Sequence, residues 1–214
     1  MDAIPMLSHY AFGTPSDADV REVAKQTVAI LKGYGLSCCF DVDVVVMSTA
    51  YEQEELKRRI VARDSTYYLV PSKNWRNTYK VLWKRIPGRL SVSCKVDILV
   101  PPVMNIPFVD ASRIMWSSKI PIMPLFAHLL LKLQAWQDHR DATFRRPDLR
   151  AKQYVDVKDI GELLVIAVRE NVTLNGERWL PKTFLGAAER RVMLYITEYP
   201  ASRVAWEKLG FKLL

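Results

Sequence analysis

The sequence predicts an α+β (α/β) fold: a small mixed β-sheet with flanking helices, followed by a helical C-terminal region. Three observations carry this. In the first half, apolar residues recur at helical spacing in some windows and in dense β-branched runs in others. From about residue 121 onward only the helical spacing persists. Pro87-Gly88 and Pro101-Pro102 break the strand-like runs of the first half. The expected organisation is a surface segment at 1–15, an α/β core at 16–120, and a helical region at 121–214 packed on that core.

Each element has its own warrant. Ser16 or Asp17 can cap a helix, because a short side-chain oxygen accepts from the unpaired amides of the first turn. Val20, Val23, Ala24, Thr27, Val28 and Leu31 then share one helical face, and Gly33 and Gly35 end it. Residues 38–47 finish in a valine run and read as one buried strand. Residues 52–62 read as a charged, exposed helix. Residues 66–71 and 78–85 read as strands, with Lys73, Asn74, Arg76 and Asn77 turning between them. Pro87 and Gly88 make another turn, and 91–100 reads as a further strand stopped by Pro101 and Pro102. An irregular stretch is expected to about Pro121. Helices are expected at 125–136, 152–170 and 181–197, with a short element near 202–209.

At 214 residues the chain is long enough to bury a core without disulfides or structural metals. Half the residues are hydrophobic and a quarter charged, as in ordinary globular proteins. The first fifteen residues lack a basic segment followed by an apolar run, so no secretory signal is expected. The longest apolar stretch, 120–133, is broken by prolines, His128 and Lys132, so no membrane span is expected. Cys38 and Cys39 are adjacent, which does not fit zinc-knuckle spacing, and with Cys94 they read as buried free thiols of a cytoplasmic protein. The net charge of +8, with the charges taken as spread along the chain, points to a polyanionic partner such as nucleotide phosphates or nucleic acid.

Two motifs carry candidate chemistry. In Asp41-Val42-Asp43, alternation along a strand would place both carboxylates on one face. Such a pair repels itself unless a cation neutralises it, and Mg2+ (or Mn2+) suits hard carboxylate oxygens while leaving room for phosphates. The bland alternative is a pair at the exposed mouth of the strand or bonded to Lys or Arg. In Lys95-Val96-Asp97-Ile98, a third carboxylate sits in an apolar strand and could complete a metal site. Lys132 interrupts a leucine-rich helix, and Lys152, Asp156 and Asp159 share a face of the next one. There the alternatives are an ion pair that ties two helices and a cationic wall for a triphosphate. Tyr79, Lys80, Trp83, Lys84 and Arg85 interleave aromatics with cations; this suits base stacking, and equally an amphipathic strand with one face buried, which is the favoured reading.

The order of these motifs resembles the nucleotidyltransferase superfamily, and within it the small toxin-like and minimal branch. Asp-h-Asp on one strand, where h is hydrophobic, is followed by a lone Asp on a later strand, a leucine-rich helix with Lys, and Lys-x-x-x-Asp-x-x-Asp-Ile. The resemblance runs from about Val20 to Leu164 and implies that Asp41, Asp43 and Asp97 are the metal-binding, catalytic carboxylates. It implies that Lys132, Lys152 and Asp156 line the nucleotide pocket. The implied activity is Mg2+-dependent transfer of a nucleoside monophosphate from NTP to a hydroxyl. One departure is plain. The family's Gly-Ser or Gly-Gly turn, about a dozen residues ahead of the acidic strand, has no counterpart, since Gly33 and Gly35 lie too close. Backbone amides of that turn hold phosphates, so its loss points to impaired transfer. The alternative is a catalytically inactive module binding nucleotide, RNA or protein on the same scaffold.

Overall fold

The computed structural model describes residues 14–41, 43–72, 75–89, 92–142, 144, 146–147 and 149–213. They form two compact units. One holds the described residues up to Val103 together with Asp110–Ile122; the other holds Met104–Val109 and the residues from Met123 onward.

The first unit begins with helix α1, Asp17–Gly33. Ser16 caps it in a reciprocal box: its hydroxyl accepts from the Asp19 amide, and the Asp19 carboxylate accepts from the Ser16 amide at 2.8 Å. Gly35 takes a left-handed φ of 74° just beyond the helix, and its amide donates to the Lys32 carbonyl. Gly35 therefore does the terminating, while Gly33 is the last helical residue. Strands β1 (Cys38–Asp41) and β2 (Asp43–Val46) follow, then helix α2 (Gln53–Arg63), β3 (Tyr67–Pro71), β4 (Lys80–Arg85), β5 (Ser93–Val96) and β6 (Ile98–Leu99). Two short 3-10 turns lead to β7 (Met115–Ser117) and β8 (Ile120–Ile122).

Two sheets result. A five-stranded mixed sheet has the order β6-β2-β1-β8-β7, and a three-stranded antiparallel sheet the order β3-β4-β5. In the smaller sheet the register opposes Tyr67 to Lys84 and Leu82 to Val96. Side chains alternate across a strand, so Tyr67, Leu82 and Val96 face one way. They join Val23 of α1, Leu56 and Ile60 of α2 and Val44 of β2 in one buried cluster. Each such side chain contributes about 1.5–3 kcal/mol when fully buried.

Several expectations are corrected here. Residues 38–47 are two strands, not one: β1 and β2 pair antiparallel, with Asp41 opposite Asp43. No Gly, Asn or Pro marks the reversal, so the apolar run concealed it. Residues 91–100 are also two strands, because the chain changes sheets at Asp97: β5 pairs with β4, whereas β6 pairs parallel with β2. The stretch before Pro121 is not irregular throughout, since Met115–Ser117 pairs with Ile120–Ile122. Helix α2 is charged but not simply exposed, because Leu56 and Ile60 are wholly buried.

The second unit is helical: α3 (Leu125–Ala142), α4 (Leu149–Arg169), α5 (Lys182–Glu198) and α6 (Arg203–Lys208). Trp136 of α3 meets Tyr195 of α5 edge-on at 4.9 Å between ring centres. Trp206 of α6 packs edge-on against Phe211. Both tryptophans are fully buried, as anchors of a helical core are. Among the described residues no helix is long and apolar enough to cross a membrane.

Candidate metal and nucleotide site

The sheet order brings together the three acidic positions of the first unit. Strands β6, β2 and β1 are consecutive neighbours. Asp41 is the last residue of β1 and Asp43 the first of β2, and the two are register partners. Val44 pairs with Ile98, so Asp43, the first residue of β2, and Asp97, the residue just before β6, lie one step earlier on the same two neighbouring stretches. The Val44 amide donates to the Asp97 carbonyl at 2.9 Å, which locks that step. Neighbouring strands are about 4.8 Å apart. Three aspartate positions thus stand side by side across one end of the sheet, Asp41 being placed by its backbone register. The hairpin sets the two aspartates opposite each other by backbone register, in place of the i, i+2 alternation expected of a single strand.

The Asp97 carboxylate accepts a hydrogen bond from the Lys95 ammonium, two residues back on the chain. This partner escaped the sequence reading, although two residues apart along an extended chain is the spacing that puts side chains on one face. A small cavity adjoins Asp97, between Val20, Val23 and Thr27 of α1 and Val44 and Cys94 of the sheets. Its volume of about 20 Å3 suits one water molecule. Among the described residues, no group of three or more His, Cys, Asp or Glu side chains is arranged to hold a metal ion.

The residues of the second unit form a different structure. Helices α3 and α4 pack against each other. Lys132 Nζ lies 3.0 Å from Asp159 Oδ2, and His139 Nδ1 lies 2.5 Å from Asp156 Oδ2. Lys132 and His139 are seven residues apart on α3, and Asp156 and Asp159 three apart on α4, so each pair shares a helix face. The result is a two-rung polar ladder between the helices. Asp156 is buried in it. Lys152, one turn earlier on α4, is exposed to solvent. His139 was not anticipated as a partner; its signal was the heptad spacing from Lys132.

The surroundings of the thiols are apolar. Cys38, Cys39 and Cys94 are all buried thiols outside any disulfide. Burial pushes the Cys38 thiol up to about 11, against a small opposing effect of the Lys32 charge, so it serves as packing and not as a ligand or nucleophile.

No family model matches this chain, and no curated protein matches it by sequence. A solved structure does match it in fold. It is an antigenic nucleotidyltransferase-like protein from Paracoccidioides brasiliensis, superposed with a TM-score of 0.60 over 92% of this chain and 95% of that one. The fold is nucleotidyltransferase-like. Sequence identity across that superposition is 13%, so the shared property is the backbone arrangement. The sheet end bearing Asp41, Asp43 and Asp97 belongs to the first unit, and the Lys132–Asp159 and His139–Asp156 rungs to the second.

Proposed function

We propose that the end of the five-stranded sheet marked by Asp41, Asp43 and Asp97 is a divalent-cation and nucleotide-phosphate site, and that the chain transfers a nucleoside monophosphate from NTP to a hydroxyl acceptor. The observation that carries this reading is the register: Asp41 opposite Asp43, and Asp43 beside Asp97, on three neighbouring strands. Adjacent carboxylates repel, and a donor set of hard oxygens at strand-to-strand spacing suits Mg2+ or Mn2+. When bound, the metal would neutralise that charge and polarise the phosphate oxygens. In the reaction, the acceptor hydroxyl oxygen bonds to the α-phosphorus and the bond to the pyrophosphate oxygen breaks, with the electron pair leaving on pyrophosphate. In this reading Asp97, which accepts a hydrogen bond from Lys95, takes the hydroxyl proton.

A second reading has its own support. Lys132 and Asp156, two of the three positions that resemblance assigns to the nucleotide pocket, are engaged with Asp159 and His139. Together with the missing Gly-Ser turn, this favours a catalytically inactive binding module on the same scaffold. An assay with α-labelled NTPs separates the two. Incubation of the protein with each NTP, Mg2+ or Mn2+, and RNA, protein or small hydroxyl acceptors should transfer label, and Asp43→Asn and Asp97→Asn should abolish it. Absence of transfer to every acceptor, with nucleotide binding retained, would support the inactive module.

A further inference from the structure

The basic residues are not evenly distributed, contrary to the sequence expectation. Residues 65–96 contain seven Lys or Arg and no Asp or Glu, whereas the whole chain carries +8. That segment is the three-stranded sheet and its turns. The acidic residues flanking it, Asp64 and Asp97, are each bonded to a lysine of the segment, Lys84 and Lys95.

The sheet has two unlike faces. Tyr67, Leu82 and Val96 fill the core. On the opposite face the register sets Tyr68 beside Trp83, and Trp83 beside Lys95. The Tyr68 hydroxyl donates to Ser93 Oγ at 2.9 Å, which fixes the ring. Arg85 lies over that ring, 4.6 Å from its centre. At the turn between β3 and β4, Trp75 is 85% exposed, with the Arg76 guanidinium 5.3 Å from its ring centre. Tyr79, 48% exposed, stands at the foot of β4. So the aromatic and cationic side chains that the sequence interleaves are sorted by the sheet: Leu82 and Lys84 turn inward, while Trp83 and Arg85 turn outward.

Rigid aromatic faces beside cations, in a segment with no acidic residue of its own, stack bases and hold phosphates at once. We propose that the outer face of the β3-β4-β5 sheet, from Tyr68 and Trp83 to Trp75 at its turn, is a binding platform for single-stranded nucleic acid. Trp75 and Tyr68 stack bases; Arg76 and Arg85 contact phosphates. The charge complementarity of this acid-free segment selects a polyanion, and the aromatic row selects one with unpaired bases. Lys95, beside Trp83 on this face, is bonded to Asp97, so the β5 edge of the platform adjoins the aspartates, while Tyr68, Trp83 and Trp75 lie on β3, β4 and the turn between them.

Fluorescence anisotropy of the full chain with an end-labelled 12-nucleotide single strand, as RNA and as DNA, tests this. Wild type should bind at least one of the two, and a blunt duplex of equal length tenfold more weakly. Trp75→Ala should weaken binding about tenfold, in line with the loss of one stacked base, and Trp75→Phe should restore most of it. Arg85→Gln should weaken all sequences alike and lower the salt slope by about 1. Lys182→Gln, which removes an exposed cation of the helical unit, should leave binding unchanged, which separates this surface from the chain's positive charge in general. Circular dichroism should show each variant folded. Binding that withstands both Trp75→Ala and Arg85→Gln would overturn the proposal. So would equal affinity for duplex or for polyglutamate, or no binding by wild type.

Discussion

Lys132 Nζ on α3 lies 3.0 Å from Asp159 Oδ2 on α4, with the lysine side chain 14% exposed. A pair that close and that sheltered is a bond between helices first, whatever else it does. Removing one partner strands the other in a poorly hydrated place. Asp159→Asn and Lys132→Met should each cost about 1–2 kcal/mol in urea unfolding, between the values for exposed and buried pairs. The double variant should cost less than the two added. Stability unchanged in Lys132→Met would show that the rung carries no weight.

Acid should act on a second pair. Lys84, almost wholly buried, donates to Asp64 Oδ2 at 3.1 Å and lies over the Tyr67 ring. Burial works against the ionised Asp64 carboxyl, but hydrogen bonds from the Thr66 amide and hydroxyl and from Lys84 outweigh it, so its pKa is lowered. A lowered folded-state pKa contributes stability that is fully present above the unfolded value of about 3.9 and is lost as pH falls through the lower folded value. Wild type should therefore exceed Asp64→Asn in stability at pH 6, and the gap should close as pH falls below about 4. Denaturant midpoints at pH 6, 4 and 3 measure it; a gap that widens with acid would have the wrong sign.

The thiols should be inert until the chain opens. With the Cys38 thiol held at about 11, and Cys39 and Cys94 buried beside it in the first unit, a disulfide reagent at pH 8 should label none rapidly. Labelling should follow the unfolding rate and accelerate with urea. Fast labelling of one thiol in native buffer would contradict the packing described.

Much of this was legible in the residues. The Ser16 cap, the helical face of α1, the apolar helix α3, the paired strands at 67–71 and 80–85 and the helical second half all follow from spacing and punctuation. What stayed hidden had no local signal. The reversal between Asp41 and Asp43 carries no turn residue, and only its pairing with β8 and β6 on either side reveals two strands. The change of sheet at Asp97 depends on a backbone bond to Val44, 53 positions away in sequence. The Asp156–His139 contact crosses helices, and a sequence window does not show crossings. The acid-free segment at 65–96 was in the sequence throughout, but it becomes a surface only once the sheet sorts Arg85 and Trp83 from Leu82 and Lys84.

The account rests on three aspartates that meet at one end of a sheet. Calorimetric titration of ATP, GTP, CTP and UTP, with and without Mg2+, against wild type and the Asp41→Asn/Asp43→Asn variant tests this most directly. Metal-dependent binding of at least one nucleotide by wild type, lost in the variant while its unfolding midpoint stays within about 1 kcal/mol of wild type, is the predicted result. No binding by any nucleotide, or binding that the variant retains, would contradict it.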